Sequence, residues 1–495
     1  MMYGEEKSDS LIVAAKLANN PQGAESVERR SGAKGNAEQP HMRRTQSRES
    51  MSQRLSRVRE AAKQRKKERF TALFHLLTAE ALENAFLSLS RKAAAGVDGV
   101  RWKDYAENLK VNIADLHRRL HQGSYRAQPG RRHYIPKADG KQRPLGIASL
   151  EDKIVQYALV KILNAVYEND FMGFSYGFRP GRSQHNALDA LATGLVRTNV
   201  NWVLDADISQ FFDKVSHEWL IRFIEHRIGD QRVIRLIRKW LTAGTSEEGE
   251  WRASEEGTPQ GAVISPLLAN IYLHYVFDLW AHQWRRRYAT GNVVMVRYAD
   301  DIVIGFDKRY DARRFRIAMQ RRLREFGLTV HPEKTRLMEF GRFAAENRAS
   351  RGKGKPETFN FLGFTHISGK DRSGRFMLIR KTRRDRMTAT LKAIKDGLRK
   401  RWHYSIPEQG KWLRRVVQGY LNYHSVPGNY PMMRKFRIYV TDLWRRALRR
   451  RSQQDDTTWT KANRLAAVWL PKVRVLHPWP VERFTARHPR QEPGA

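Results

Sequence analysis

The chain has no cysteine, few acids for its bases and no long apolar run. Without cysteine there are no disulfides and no Cys-ligated zinc modules, which fits a reducing cytoplasm. No stretch of about 18 apolar residues occurs and the start lacks a signal-peptide pattern, so neither a transmembrane helix nor secretion is expected. Acids are scarce: 92 Lys and Arg stand against 51 Asp and Glu, a formal charge of +41. Self-repulsion on that scale calls for a polyanion, and nucleic acid is the expected partner. What is present, 41% hydrophobic residues and 13 Trp in 495 residues, suits an enzyme-sized body of two or three domains better than a ribosomal or packaging protein.

One stretch organises the rest. Val293 to Phe306 reads VVMVRYADDIVIGF, two apolar β-branched runs around a polar break at Ala299, Asp300 and Asp301. The pattern predicts a buried β-hairpin with acids at its turn. Asp is a good turn residue, but adjacent carboxylates at a buried hairpin tip repel unless a cation joins them. Hard divalent ions such as Mg²⁺ bind through one or two carboxylates and keep phosphate and water ligands. A second acidic strand is expected at Trp202 to Ile208, where Val203, Asp205 and Asp207 share one face. An acid on a buried strand is costly unless paired or metal-bound. Periodicity does not choose between Asp205 and Asp207 as the third carboxylate.

Residues 1–50 are polar and aperiodic and are expected to be disordered. A helix is expected over Ser52 to Leu77, where residues 41–70 hold eleven Lys and Arg against three Glu, a candidate phosphate-gripping arm. Another is expected over Ala79 to Lys92, before the Gly-bracketed turn of Ala95 to Val100. Tyr134 to Ile147 reads as strand, Asp-Gly turn, strand, with Lys137 and Arg143 on its arms. Such a hairpin suits a triphosphate, Arg forking onto oxygens and Lys acting as a point charge.

After a helix from Asp152 to Tyr167, the Gly-rich loop Ser175 to Ser183 carries Arg179 and Arg182 into a helix from His185 to Leu195, which suits a nucleic-acid backbone. Gly257 to Ile271 is a polar loop feeding an apolar helix, with Ser265 as expected N-cap, Pro266 in the first turn and Gln260 free to contact a sugar or base. A helix from Ala312 to Phe326 leads to HPEKT at 331–335. Phe359 to Phe364 is expected to be one short strand. From Arg380 to Arg450 the reading is helical, with twenty Lys and Arg against four acids, a surface whose grip on phosphates falls with salt. Trp469 to Pro480 reads as extended.

In order along the chain stand AAAGVDGV, IPKADGKQRPLGI, SYGFRPGRS, DADISQFFD, GTPQGAVISPLLANIYL, RYADDIVIGF, HPEKT and FNFLGF. This series resembles the group II intron-encoded reverse transcriptases, or maturases, over about residues 50 to 485. GYLNYHSVPGNY looks like that family's maturase region. The resemblance implies an α+β right-hand polymerase, with an antiparallel-sheet palm and helical fingers over 51–375. A helical thumb or maturase domain over 376–485 and a tail over 486–495 would follow. It implies Asp207, Asp300 and Asp301 as catalytic acids, holding two Mg²⁺ (or Mn²⁺) with the Ile208 carbonyl as a further ligand. Asp207 is singled out from Asp205 because the family's metal acid precedes the aromatic, here Phe212, by five residues.

By the same resemblance Phe212, beside Phe211, lies under the sugar and selects deoxynucleotides. Lys137 and Arg143 hold the triphosphate, Gln260 touches nucleotide or template, and Lys334 stands near the leaving phosphate. Phe361, Leu362 and Gly363 resemble the primer grip. The implied partners are an intron RNA, an RNA template, a DNA primer or target and deoxynucleoside triphosphates, in a bacterial cytoplasm near nucleoid or ribonucleoprotein. The family often carries a Cys-rich or His-based endonuclease after the thumb. None is expected here, so a primer would come from elsewhere. A splicing-only RNA-binding protein and a domesticated reverse transcriptase in defence or repair remain alternatives. An RNA-templated RNA polymerase is disfavoured by Phe212.

Overall fold

The computed structural model describes residues 50–136, 142–247, 249–253, 255–451 and 457–487. The disorder expected of residues 1–50 and the position of Lys137 therefore lie outside the described residues, Ser50 excepted. Along the chain the strands are β1 (Gly130–Pro136), β2 (Gln142–Ile147), β3 (Trp202–Asp207), β4 (Thr245–Glu247), β5 (Glu250–Arg252), β6 (Val293–Tyr298), β7 (Asp301–Phe306), β8 (Arg336–Glu339), β9 (Phe359–Phe361), β10 (Phe364–Lys370) and β11 (Phe376–Thr382). They form three sheets ordered β2-β1-β4-β5, β11-β10-β9 and β6-β7-β3-β8, among many helices, a mixed α+β architecture. Among the described residues no helix is long and apolar enough to cross a membrane. Contacts divide the described chain into two units, one of residues 173–209 and 276–487, the other of 50–172 and 210–275.

In the second of these units the sequence places an 18-residue helix, Leu150–Tyr167, with apolar residues on nearly every side, and it becomes the buried centre. Ser149 caps it, accepting from the Asp152 amide. The basic helix at the start spans Met51–Gln64 rather than the longer stretch to Leu77. Its end is decided by a distant residue: the buried Arg227 guanidinium donates to the carbonyls of Ala62, Arg65 and Glu68 and to the Asp170 carboxylate. Ala62 belongs to the last turn, whose carbonyls lack intrahelical partners, and the chain breaks away to pair Phe70 with Ile228. The acidic segment near Glu247 and Glu250, unanticipated as structure, forms the β4–β5 hairpin.

In the other unit the β6-β7-β3-β8 sheet forms from the apolar β-branched runs of the sequence and is buried on both faces. Register sets Asp207 opposite Asp301, Asp205 opposite Val303 and Val203 opposite Gly305, so these six share one face. At its far end that face is covered by the helix Gln184–Arg197, whose Leu188 and Leu191 pack with Val203, Val294 and Val303. The opposite face, with Leu204, Ile304 and Phe306, is buried under Phe277, Trp284 and Phe315. The Phe315 ring lies 4.9 Å from that of Trp284 and 5.6 Å from that of Phe306. Phe315 belongs to the helix Arg309–Arg324.

Beyond the β9-β10-β11 sheet, helices Arg384–Arg399, Ile406–His424, Tyr430–Arg449 and Trp459–Trp469 close around Leu413, Val417, Phe436 and Trp444. Burying one Phe of this kind contributes about 1.5–3 kcal/mol. The chain after Trp469 is irregular as expected up to residue 479, but a helix the sequence does not announce, Pro480–Arg487, follows. Phe484 is buried in the core of Leu188 and Val203, and Arg483 forks onto the buried Asp189 carboxylate.

Candidate active site

The hairpin β6–β7 turns in two residues, Ala299 and Asp300, with Tyr298 paired to Asp301. Ala299 takes a left-handed conformation, φ 56°, unusual for a residue with a Cβ. Several contacts hold it there. A Cβ on Gly177 would come within 2.4 Å of the Ala299 amide, so only glycine allows the 175–177 segment to lie this close. Tyr176 donates its amide to the Arg297 carbonyl, and Arg297 donates its own to the Phe174 carbonyl.

Below the turn, on the sheet face away from the acids, Arg297 is wholly buried. Its Nε and Nη2 fork onto Asp278 at 2.7 and 2.5 Å, Nη2 donates to Ser175 Oγ and Nη1 to the Ala299 carbonyl at 3.0 Å. Asp278 is equally buried. A guanidinium thus ties the acid-bearing turn to a helix and to the Gly-rich loop. None of Arg297, Asp278, Ser175 or Gly177 was singled out as functional from sequence. The available signal was one charged residue inside the apolar run VVMVRY, which needs a buried partner.

On the acid face, Asp205 and Asp207 lie one pleat apart on β3, and Asp301 faces Asp207 from β7. Burial, then the Asp300 and Asp207 charges, push the Asp301 carboxyl up to about 7, although the residue keeps an exposed edge at the turn. Asp205 is likewise pushed up to about 7, first by burial; Arg336 pulls it back while Asp301 and Asp207 add to the rise. Asp207 has a cation: Lys334 Nζ lies 2.7 Å from its Oδ2. The Asp207 carbonyl accepts from the His331 amide at 2.7 Å, and Ile208 bridges Val330, so the HPEKT segment is laid along the end of β3. Among the described residues no three acidic or histidine side chains already converge as a ready-made metal cage.

The other candidates fall into place as follows. Phe211 and Phe212 lie in a short 3-10 turn after the left-handed Gln210, their rings 5.4 Å apart and edge-to-face. The Thr258 amide donates to the Phe212 carbonyl at 2.7 Å, and Gln260 Nε2 donates to Asp213 Oδ1 at 2.6 Å. The Gln260 carbonyl accepts from Gly146 on β2, so the aromatic turn, the Gln260 loop and the β1–β2 hairpin are joined within one unit. Arg143 is exposed on β2, opposite Ile135.

Residues 135–366 match the family described as reverse transcriptase (RNA-dependent DNA polymerase). Protein YkfC of Escherichia coli K12 is 43% identical over 214 residues, 42% of this chain and 55% of that protein. The group II intron-encoded protein LtrA of Lactococcus lactis subsp. cremoris is 37% identical over 223 residues, 44% of this chain and 37% of LtrA. The putative COX1/OXI3 intron 1 protein of Saccharomyces cerevisiae is 26% identical over 393 residues, 66% of this chain and 46% of that protein. The chain carries a reverse transcriptase domain at residues 135–366. It spans about half, or less, of the length of these relatives.

Three placements within or beside the reverse transcriptase domain differ from expectation. Arg179 is buried, with Nη1 donating to the Ser175 carbonyl at 2.8 Å, and Arg182 Nη1 donates to the Gly173 and Ser175 carbonyls. Both guanidiniums brace the 173–183 loop, because its folded-back carbonyls need donors. Ser265 does not cap its helix: the helix begins at Ser265, and the Ser265 hydroxyl donates to the Pro259 carbonyl at 2.8 Å. Finally, Phe359 to Phe364 is not one strand. Leu362 (φ 45°) and Gly363 (φ 80°) form a two-residue turn between β9 and β10, the conformation that matches the twist of a hairpin. Tyr423 Oη donates to the Leu362 carbonyl at 2.8 Å and fixes that tip.

Proposed function

We propose that the chain is an RNA-directed DNA polymerase of a group II intron, which also binds its intron RNA and assists splicing and mobility. The observation that supports this most is the register that sets Asp207 against Asp301 across β3 and β7, with Asp300 in the turn. In this reading the β6-β7-β3-β8 sheet is the palm, the β2-β1-β4-β5 sheet and its helices are fingers, and the helices from Arg384 onward are the thumb or maturase domain.

The residues present fit a divalent cation. They offer only oxygen donors, and among the described residues no base lies within ion-pair distance of Asp205 or Asp301, both of which are crowded by like charge. A closed cage is not required, since Mg²⁺ takes one or two carboxylates and completes its shell with phosphate and water. Asp207, Asp300, Asp301 and the Ile208 carbonyl would hold it. When bound, a pair of such ions lowers the pKa of the primer 3′-hydroxyl and stabilises the departing pyrophosphate.

The chain's own side chains supply the rest. Lys334, beside Asp207, is placed to offset charge on the leaving phosphate, while Arg143, with Lys137, offers donors to the triphosphate. Phe212, its carbonyl pinned by Thr258, is the aromatic that would lie beneath the sugar and select deoxynucleotides. Gln260, held by Asp213, meets nucleotide or template, and the Phe361–Gly363 tip meets the primer.

The test is primer extension on an RNA template with Mg²⁺ and deoxynucleotides, comparing the wild type with Asp300→Ala. Extension by the wild type alone, with RNA binding nearly equal in both proteins, is expected. Equal loss of extension and RNA binding in a folded Asp300→Ala protein would refute this division of labour.

A further inference from the structure

The helix Arg309–Arg324 buries Ala312, Phe315, Met319 and Leu323 against the sheet face that carries no aspartate. Its outer side, read at helical spacing, is Tyr310, Arg313, Arg314, Ile317, Arg321 and Arg324, positions that follow one another at three or four residues and so form one stripe. All six are exposed; Tyr310 and Ile317, at 60% and 52%, are large groups left in solvent. The helix is about 24 Å long, enough for several phosphates in a row.

Some exposed bases of the same unit have acids, Arg351 with Glu339, Arg383 with Asp385, Arg446 with Asp442 and Lys370 with Glu346. On this helix the one acid, Asp311, is turned inward and accepts from the Thr290 and Gly291 amides. Glu325, just past its end, is taken by Arg322. Among the described residues no carboxylate lies within ion-pair distance of the four stripe arginines. Arg314 instead stacks on the Tyr310 ring at 5.1 Å, which presents a flat cationic and aromatic surface outward.

We propose that this stripe is a second RNA-binding surface, holding the phosphates of a folded RNA on the side of the sheet opposite Asp205, Asp207 and Asp301. Four guanidiniums supply the backbone contacts. Tyr310 and Ile317 supply planar and apolar contacts, which suit the unstacked bases and riboses of folded RNA more than a regular duplex. Because the helix layer and the sheet lie between, RNA on the stripe does not occupy the acid face, and a template–primer and a structural RNA can be carried together. The inference rests on the proposed function only for the occupant of the acid face.

The full-length protein, preloaded with one equivalent of a short RNA–DNA template–primer, is titrated with a fluorescent RNA hairpin bearing an unpaired loop. The wild type is expected to bind the hairpin without releasing the template–primer. In the variant Arg313→Gln/Arg314→Gln/Arg321→Gln/Arg324→Gln this second binding weakens at least tenfold, and its logarithmic salt slope falls by about 3, each phosphate contact contributing about 0.7–0.9. Tyr310→Ser, which leaves the charge unchanged, weakens it severalfold with the slope intact. Primer extension stays at the wild-type rate in both variants.

Displacement of the hairpin by the template–primer in the wild type overturns the proposal, as does unchanged second binding in the quadruple variant. Tyr310→Ser without effect would reduce the stripe to a diffuse field, and stripe-dependent capture of phosphatidylserine vesicles in place of the hairpin would reassign it to lipid; either outcome also overturns it. Absence of wild-type extension would count against the polymerase reading alone, because the binding readouts do not depend on catalysis.

Discussion

Asp278 and Asp189 are buried and each is met by arginine, Asp278 by the Arg297 fork and Asp189 by Arg483 with Arg380 beyond it. Asp205 is half-buried and Asp301 keeps an exposed edge, in the same unit, and among the described residues no base comes within ion-pair distance of either. Arg336 and Arg383 act on Asp205, and Lys334 and Arg383 on Asp301, only from further away. A chain with 92 Lys and Arg does not lack cations. It has used them to close Asp278 and Asp189, while on the acid face Asp207 takes the exposed Lys334 and Asp205 and Asp301 take none at ion-pair distance among the described residues. Uncompensated carboxylates cost stability. Their grouping along β3 and at the β6–β7 turn is the contrast on which the proposed cation site rests.

The sharpest way to break this contrast is to remove a carboxylate from each group. Asp301→Asn is expected to lower primer extension by a thousandfold or more, roughly what losing one group of a concerted unit does to an enzyme. Without divalent ions, its melting temperature is expected to rise, because like charge at the turn is relieved. Calorimetry in chelator, beside extension in Mg²⁺, reads both effects. A clear fall in melting temperature would place Asp301 with the structural acids and dissolve the distinction.

Next in size comes the closed pair. Arg297→Met leaves Asp278 buried without its partner, and loss of one member of such a pair costs about 3–5 kcal/mol. The double variant Arg297→Met/Asp278→Leu is expected to regain most of that stability while extension remains depressed, since the Ala299 carbonyl and Ser175 Oγ still lack their donor. Denaturant unfolding of the three proteins settles the energetics. Recovery of extension along with stability would mean that the pair serves the fold alone and does not position the turn.

What was legible in the sequence follows the same division. The acid hairpin could be read because two continuous β-branched apolar runs flank the polar break at Ala299-Asp300-Asp301, and β3 because Asp205 and Asp207 fall on one face of an apolar strand. Local pattern sufficed for the 18-residue helix Leu150–Tyr167 and for the mixed α+β class. Features set by distant partners could not be read. The first helix stops at Gln64 because of Arg227, far along the chain, and the Pro480–Arg487 helix docks through Phe484 and Arg483 onto residues some three hundred positions earlier. Arg179 and Arg182 looked like phosphate ligands because Gly-rich basic loops commonly are. Only the folded loop reveals carbonyls that claim them. Leu362 concealed a turn because a leucine with positive φ is not a local preference; Tyr423 imposes it.

The smallest effect tests the one place where the two groups meet. Lys334 gives Asp207 a cation, but its side chain is 62% exposed, so the bond is of the screened kind, worth under about 1 kcal/mol. Lys334→Met is therefore expected to shift unfolding in chelator by less than about 1 kcal/mol. If Lys334 were closing Asp207 as Arg297 closes Asp278, the loss would be several times larger. In extension assays the variant is expected to slow at saturating Mg²⁺, because charge on the leaving phosphate loses a donor. It is also expected to reach its half-maximal rate at a lower Mg²⁺ concentration, because Nζ no longer competes for Asp207 Oδ2. A half-maximal concentration that rises would mean the lysine helps to assemble the acids, and Asp207 would then belong with the paired aspartates of the interior.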